Sequence, residues 1–161
     1  MKRRREYGLG KVQKKLPGNR ETSADQESGL LPPPRAVHVK PFKIVGNLYY
    51  IGDQKVCSHL IDTGDGLIVF DSGFQHSIHL MVQAIWELGF DPADIKYLIH
   101  SHEHFDHIGA ANDFKDLYGC KLVISKAGAD IMRDRTELVY LKANPNPYAS
   151  LFTPDIELED G

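Results

Sequence analysis

Short runs of apolar residues divide the middle of the chain into predicted strands. Phe42-Lys43-Ile44-Val45 and Leu48-Tyr49-Tyr50-Ile51 flank Gly46-Asn47, a two-residue turn that is typical of β-hairpins. Residues 56–62 and 67–70 form a second predicted hairpin. The return strand of this hairpin is apolar at every position, which predicts a central strand that is buried on both faces. The pattern therefore begins with antiparallel strands.

Helical periodicity follows the second hairpin. Apolar residues recur at spacings of three and four over about residues 75–88, which predicts one amphipathic helix with a single apolar stripe: Ile78, Met81, Val82, Ile85 and Leu88. The pattern then alternates between strand (97–99), helix (108–117), strand (122–124) and helix (126–133). Little regular structure is predicted after a loop at 143–147. These elements indicate a layered α/β or α+β fold, in which ligands usually bind at the carboxyl ends of strands.

The first 35 residues have a different composition. They are polar, charged and rich in Gly and Pro, so we expect a disordered tail at 1–35 ahead of a folded domain at 36–161. Residues 1–20 hold eight of the 19 Lys and Arg residues and one Glu, although the whole chain has a net charge of −3. A basic arm on an acidic body argues against a nucleic-acid-binding protein, and a nuclear or nucleic-acid role for the arm is the weaker interpretation.

The sequence shows no apolar segment long enough for an export signal or for a membrane span. The basic start at Met1-Lys2-Arg3-Arg4-Arg5 is not followed by an apolar run, so a signal peptide is not expected. No apolar run approaches about 20 residues, so no membrane span is expected either. We therefore predict a cytoplasmic protein. The two cysteines, Cys57 and Cys120, form no CxxC pair and are predicted to be buried free thiols.

The candidate chemistry lies immediately after the predicted strand at 97–99. His102, His104, Asp106 and His107 fall within six residues. Alternate residues of an extended chain point to the same side, so His102 and His104 can bind one ion together. Asp106 and His107, where the chain turns into a helix, can face a second ion. Imidazole nitrogen and carboxylate oxygen suit Zn²⁺, with iron or manganese as alternatives. A histidine-rich loop without metal is a poor explanation for four such residues at this spacing.

The motif also resembles that of a known family. Ser101-His102-Glu103-His104-Phe105-Asp106-His107, with Asp71-Ser72-Gly73 upstream, resembles the metallo-β-lactamase superfamily over about residues 37–161. The resemblance implies an α+β fold, the αββα sandwich, with a dinuclear zinc site. It implies that His102 and His104 bind the first ion, that Asp106 and His107 bind the second, and that Asp71 supports the metal-binding loop.

The implied activity is metal-dependent hydrolysis of a small-molecule substrate. In this family a metal-activated hydroxide attacks a lactam, a lactone, a thioester or another ester, and Asp106 would orient the hydroxide as the catalytic residue. The family places a third histidine well downstream, whereas this chain has no histidine after His107. We therefore expect the N-terminal half of the sandwich, with weak metal binding and little hydrolysis by the chain alone. The alternative is a non-catalytic metal-binding half-domain that pairs with a complementary C-terminal half.

Other residues receive structural interpretations. His76 and His79 are expected at the surface or partly packed, and His100 is expected to be a packed histidine or, as the second possibility, a partner of a metal ligand. Trp86 is expected to pack against other residues.

Overall fold

The computed structural model describes residues 34–140 and 150–160. The predicted tail lies outside these residues apart from its last two, which belong to a short helix, α1 (Pro34–Val37). The predicted loop at 143–147 also lies outside them. The disordered tail and the domain boundary at residue 36 therefore stay predictions.

A single sheet of seven strands runs in chain order. Its strands are β1 (Phe42–Val45), β2 (Leu48–Tyr50), β3 (His59–Asp62), β4 (Leu67–Phe70), β5 (Ile95–Ile99), β6 (Lys121–Ser125) and β7 (Ile156–Leu158). The pairs from β1 to β4 are antiparallel, which confirms both hairpins, and the pairs from β4 to β7 are parallel. The sheet therefore changes from antiparallel to parallel pairing at β4.

Helices connect the parallel strands. They are α2 (Ile78–Glu87), α3 (Phe105–Ile108), α4 (Ala111–Tyr118) and α5 (Lys126–Asp134), with 3-10 turns at Gln75–Ser77, Pro92–Asp94 and Thr136–Val139. The helix predicted over 75–88 is therefore present as a 3-10 turn followed by α2. The single helix predicted over 108–117 is wrong in detail, since the chain forms α3 and α4 with a break at Gly109 and Ala110.

The core lies between the strands and the apolar faces of the helices. β4 is the middle strand, as predicted, but it alternates: Leu67 and Val69 are buried, whereas Ile68 and Phe70 are partly exposed. The prediction of a strand buried along its whole length is therefore wrong. On α2, Met81 and Ile85 are buried in the core together with Ala84, and the rest of the predicted stripe packs against this cluster (Ile78, Val82 and Leu88).

Three further predictions need correction. Trp86 is 55% exposed and is not among the residues packed in or against the core. Both cysteines are free, but only Cys120 is buried and Cys57 is exposed. β7 was not predicted, since Ile156-Glu157-Leu158 is a short strand with polar flanks and forms through pairing with β6. Within the described ranges, no helix has the length and the apolar character needed to cross a membrane.

The two outermost strands carry exposed apolar side chains. Phe42, Ile44 and Val45 of β1 are exposed, as are Ile156 and Leu158 of β7. Edge strands of this kind present unpaired backbone groups, and their apolar side chains favour pairing with further chain.

Candidate metal centre

The histidine motif lies at the carboxyl ends of two adjacent parallel strands. Phe70, the last residue of β4, pairs with Ile99, the last residue of β5. Asp71 follows β4 directly, and its backbone N–H donates to the carbonyl oxygen of Ile99 at 2.9 Å. The motif follows β5 after two residues. This pairing brings Asp71 and the motif together although they are about 30 residues apart in sequence.

Asp71 is the organising residue of the site. It has a positive φ of 59°, a conformation that Asp adopts more readily than most side chains. Its carboxylate accepts hydrogen bonds from the backbone N–H and the hydroxyl of Ser101, both at 2.8 Å, and from His107 Nδ1 at 2.9 Å. Burial alone would raise the pKa of Asp71, but the hydrogen bonds from His107 and Ser101 outweigh it and hold the pKa below its usual value.

The three imidazoles of the motif form one group. The ring centroid of His102 lies 4.6 Å from that of His104 and 4.0 Å from that of His107. The ring of His102 therefore lies closer to that of His107 than to that of His104. The three rings therefore lie next to one another, and the assignment of His102 and His104 to one ion and of Asp106 and His107 to the other stays a prediction. Asp106 Oδ2 lies 3.7 Å from His107 Nε2, so the carboxylate borders the same group.

Hydrogen bonds indicate which nitrogen of two histidines is available. A carboxylate only accepts, so His107 must donate its Nδ1 proton to Asp71, which leaves the Nε2 lone pair free. Ser101 uses its hydroxyl proton on Asp71, so at 3.0 Å it accepts from Nδ1 of His102, and the Nε2 of His102 is free as well. A neutral imidazole with one nitrogen held by a polar partner is the form in which histidine ligates metals.

The environment shifts the pKa of both rings, in opposite directions. The hydrogen bond to Asp71 is the largest effect on His107 and raises its pKa, because the carboxylate favours the protonated ring. Burial is the largest effect on His102, and the neighbouring His107 and His104 add to it, so its pKa lies below the ordinary value. Protonation is therefore disfavoured at His102, whereas the Asp71 carboxylate favours it at His107.

Ser72 holds the end of the histidine motif through hydrogen bonds. Its backbone N–H and its hydroxyl both donate to the carbonyl oxygen of His107, at 2.8 and 3.1 Å, and its hydroxyl accepts from the N–H of Ala110 at 3.2 Å. Gly109 allows the close approach: a Cβ there would lie 2.7 to 2.8 Å from backbone atoms of Gln75, Gly73 and Phe105. Ser72 and Ser101 are the polar partners that sequence reasoning did not assign, although both stand inside the motif segments.

His100 is a packed histidine with a polar neighbour. It is 3% exposed and contacts Phe152 in a tilted arrangement, with ring centroids 4.6 Å apart. Its Nε2 lies 3.4 Å from the hydroxyl of Ser72, so it contacts the support of the loop as well as the core. Burial lowers the pKa of His100 to about 4, so the ring is neutral near pH 7. Of the remaining candidates, His76 contacts Phe74, with ring centroids 5.2 Å apart, and His79 is exposed.

The donor chemistry of the site fits a transition metal in part. Imidazole nitrogens and a carboxylate stand together, and two rings have the tautomer that ligation requires. Across residues 34–140 and 150–160, however, no three His, Cys, Asp or Glu side chains are arranged as a complete metal-binding group. The fit is therefore one of donor type and proximity, and it falls short of a complete set of ligands.

Comparison with solved structures shows the same architecture in metallo-beta-lactamases. The enzyme GOB-18 from Elizabethkingia meningoseptica matches with a TM-score of 0.71 and 34% identity, over 81% of this chain and 48% of that one. FEZ-1 from Legionella gormanii matches with a TM-score of 0.69 and 31% identity, over 78% and 48%. The subclass B3 enzyme BJP-1 from Bradyrhizobium japonicum is 27% identical, with a TM-score of 0.67, over 78% and 47%. The chain thus spans about half the length of these structures.

Sequence comparison points to the same group of proteins. A stretch of 33 residues is 58% identical to the N-acyl homoserine lactonase AttM of Agrobacterium fabrum, and it covers 20% of this chain and 12% of that protein. The family model of the metallo-beta-lactamase superfamily matches residues 51–161, which is more than half of the chain. With the fold and the arrangement of the motif, this match shows that the chain belongs to the metallo-beta-lactamase superfamily.

Proposed function

We propose that this chain supplies the histidine-rich half of a dinuclear zinc site in a hydrolase that cleaves a lactam, a lactone, a thioester or another ester. The observation that carries the proposal is the grouping of the imidazoles of His102, His104 and His107, with Asp71 holding His107 from behind. The similarity to lactam- and lactone-cleaving proteins supports hydrolysis as the reaction class.

In this proposal His102 and His104 hold one ion, and Asp106 and His107 hold the other. When bound, such ions lower the pKa of a water molecule and stabilise negative charge on a carbonyl oxygen. Asp106 is partly exposed, so its carboxylate can contact solvent. The carboxylate would orient the attacking water molecule by accepting a hydrogen bond from it. Asp71 holds His107 in one orientation, and Ser101 does the same for His102. These two side chains therefore lose little conformational freedom when a metal ion binds.

A catalytic zinc usually keeps three protein ligands, and the motif offers two for the first ion in this assignment. We therefore propose that further donors come from outside the described residues or from a complementary C-terminal half. Iron or manganese would also suit the same donors. The alternative function, a non-catalytic metal-binding half-domain, uses the same ligands and differs only in what the complete assembly does.

Calorimetric titration with zinc tests the site. We expect weak binding to the chain alone and loss of that binding in the double variant His102→Ala/His104→Ala. His79→Ala removes an exposed histidine outside the motif and serves as the matched control. Two tight sites on the isolated chain would contradict the expectation of an incomplete centre, and binding that survives in the double variant would contradict the assignment of the ligands.

Hydrolysis separates the two functions. A chromogenic lactam, a lactone and a thioester are offered to the zinc-loaded chain, with and without a C-terminal half taken from one of the structural neighbours. We expect little turnover by the chain alone and turnover of one substrate class in the reassembled protein. Stable reassembly with bound zinc but without turnover of any of the three would favour the non-catalytic alternative.

A further inference from the structure

Tyr140 has an unusual backbone conformation near the metal-binding motif. It follows the 3-10 turn Thr136–Val139 and has a φ of 58°. Among the described residues, only Asp71 shares a positive φ without being a glycine. Large side chains rarely occupy this region, and residues held there cluster at functional sites. Asp71 already illustrates this, since its conformation aims the carboxylate at His107.

The conformation of Tyr140 aims its ring at His104. The two ring centroids lie 5.0 Å apart with an interplanar angle of 87°, an edge-to-face contact in the favourable range for aromatic pairs. The preceding residue, Val139, is completely buried and anchors the turn in the core. Tyr140 itself is 53% exposed, so burial of its own side chain does not explain the strained backbone.

His104 differs from its two neighbours in how it is held. His102 contacts Ser101 and His107 contacts Asp71, each through Nδ1. The ring of His104 instead has aromatic contacts with His102 and with Tyr140. Because imidazole rings rotate freely about χ2 unless something limits them, the contact with Tyr140 restricts the orientation of this ring.

We propose that Tyr140 is a positioning residue that holds the His104 imidazole in its metal-binding orientation through the face and edge of the aromatic ring. The proposal rests on the proposed function, because it treats His104 as a ligand. The phenol hydroxyl has no part in it, so phenylalanine should replace tyrosine without loss.

The positive φ makes glycine the informative replacement. Glycine adopts this conformation without strain, so Tyr140→Gly removes the ring while relieving the backbone, and the variant should fold at least as well as the wild type. Tyr140→Phe keeps the ring. Trp86→Ala removes an aromatic side chain of similar exposure, 55%, from α2 and is the control for general effects of losing an exposed ring.

Two measurements on the full chain separate the contact from its consequence. The first is the NMR chemical shift of the His104 ring protons in the metal-free protein, which a neighbouring aromatic ring displaces. The second is Co²⁺ affinity, followed by titration of its visible absorption. We expect Tyr140→Gly to shift the His104 signals and to weaken Co²⁺ binding about tenfold, the lower end of the effect of removing a group that orients a ligand. Tyr140→Phe and Trp86→Ala should match the wild type in both.

Several outcomes would overturn the proposal. Unchanged His104 signals in Tyr140→Gly would show that the Tyr140 ring does not contact His104. Altered signals with unchanged Co²⁺ affinity would show that the contact does not affect metal binding. A loss in Tyr140→Phe equal to that in Tyr140→Gly would assign the effect to the hydroxyl. A wild-type chain that binds no Co²⁺ would contradict the proposed function instead, and the NMR comparison would still decide whether Tyr140 orients the ring.

Discussion

Asp71 shows how one side chain connects two segments of the site. Its carboxylate accepts from Ser101 and from His107, and Ser101 in turn accepts from His102, so a single residue orients two imidazoles. The sequence indicated Asp71 as a support of the loop, but only through the family resemblance. The hydrogen bonds that link Asp71 through Ser101 to His102 depend on the left-handed backbone of Asp71 and on the pairing of β4 with β5. Local sequence patterns reveal neither of these features.

Replacing Asp71 with asparagine tests this connection. Asparagine also tolerates a positive φ, so Asp71→Asn keeps the backbone while removing the charge that holds His107. We expect zinc affinity, measured by calorimetry, to fall by about 10- to 100-fold. Asp65→Asn, at a side chain that is 96% exposed, should leave the affinity unchanged. Equal affinities for the two variants would contradict an orienting role for Asp71.

The two cysteines should differ in reactivity. Cys57 is exposed, whereas Cys120 is buried, and burial raises the pKa of the Cys120 thiol to about 11. Since the thiolate is the reactive form, we expect iodoacetamide at pH 8 to modify one thiol in the folded chain and both in denaturant, as counted by mass spectrometry. Cys57→Ala should abolish labelling of the folded protein. Rapid labelling of that variant would show that Cys120 is accessible.

At the scale of elements, the hydrophobic pattern predicted the strands from β1 to β6 and the helices α2 and α5. Several of these elements bury a regular stripe or an alternating face, whereas β1, whose residues are all exposed, was predicted from its apolar residues and the Gly46-Asn47 turn. It missed β7, whose three residues pair with β6 and whose position depends on Asp155. Asp155 accepts from the N–H of Leu122 and from Lys115, both at 2.9 Å, although these residues are more than 30 positions away. Contacts at such separation leave no local signal in the sequence.

Asp155→Asn tests how strongly this carboxylate holds β7. The hydrogen bond from the Leu122 N–H, and then the Lys115 ammonium, lower the pKa of Asp155 in the folded protein. A lowered folded-state pKa stabilises the fold above the unfolded-state value of about 3.9, and the contribution is lost as the pH falls through the folded-state pKa. We expect the variant to be less stable by about 1 kcal/mol at pH 7. The difference should shrink below about pH 4.

Urea unfolding at a series of pH values measures this difference. Asp134→Asn, at an exposed position at the end of α5, is the control and should change stability little at any pH. A destabilisation by Asp155→Asn that stays constant down to pH 2 would show that the charge of Asp155 does not contribute.

At the scale of the whole molecule, the sheet brings together a hairpin-rich half and a parallel half, and the motif lies where they meet at β4 and β5. Binding at this junction should stabilise the entire fold. A ligand at 100 times its dissociation constant adds about 2.7 kcal/mol, and about 2–4 °C of melting temperature accompany each kcal/mol in a protein of this size. We therefore expect saturating zinc to raise the melting temperature by several degrees, and EDTA to reverse the rise.

Thermal denaturation of the double variant His102→Ala/His104→Ala supplies the comparison. Its melting temperature should respond little to zinc, because two of the four candidate ligands are absent. An equal rise in wild type and double variant would place the stabilising zinc elsewhere on the chain.

The Asp71–His107 hydrogen bond joins residues 36 positions apart, whereas His102, His104, Asp106 and His107 lie within six. Asp71 and both strands that position it precede these four residues in the chain, so they leave the ribosome before the motif does. What folding adds is orientation, through a contact that carries a large loop-closure entropy. We expect a metal ion bound before β4 and β5 pair to be held less tightly than one bound afterwards, because that pairing brings Asp71 to His107.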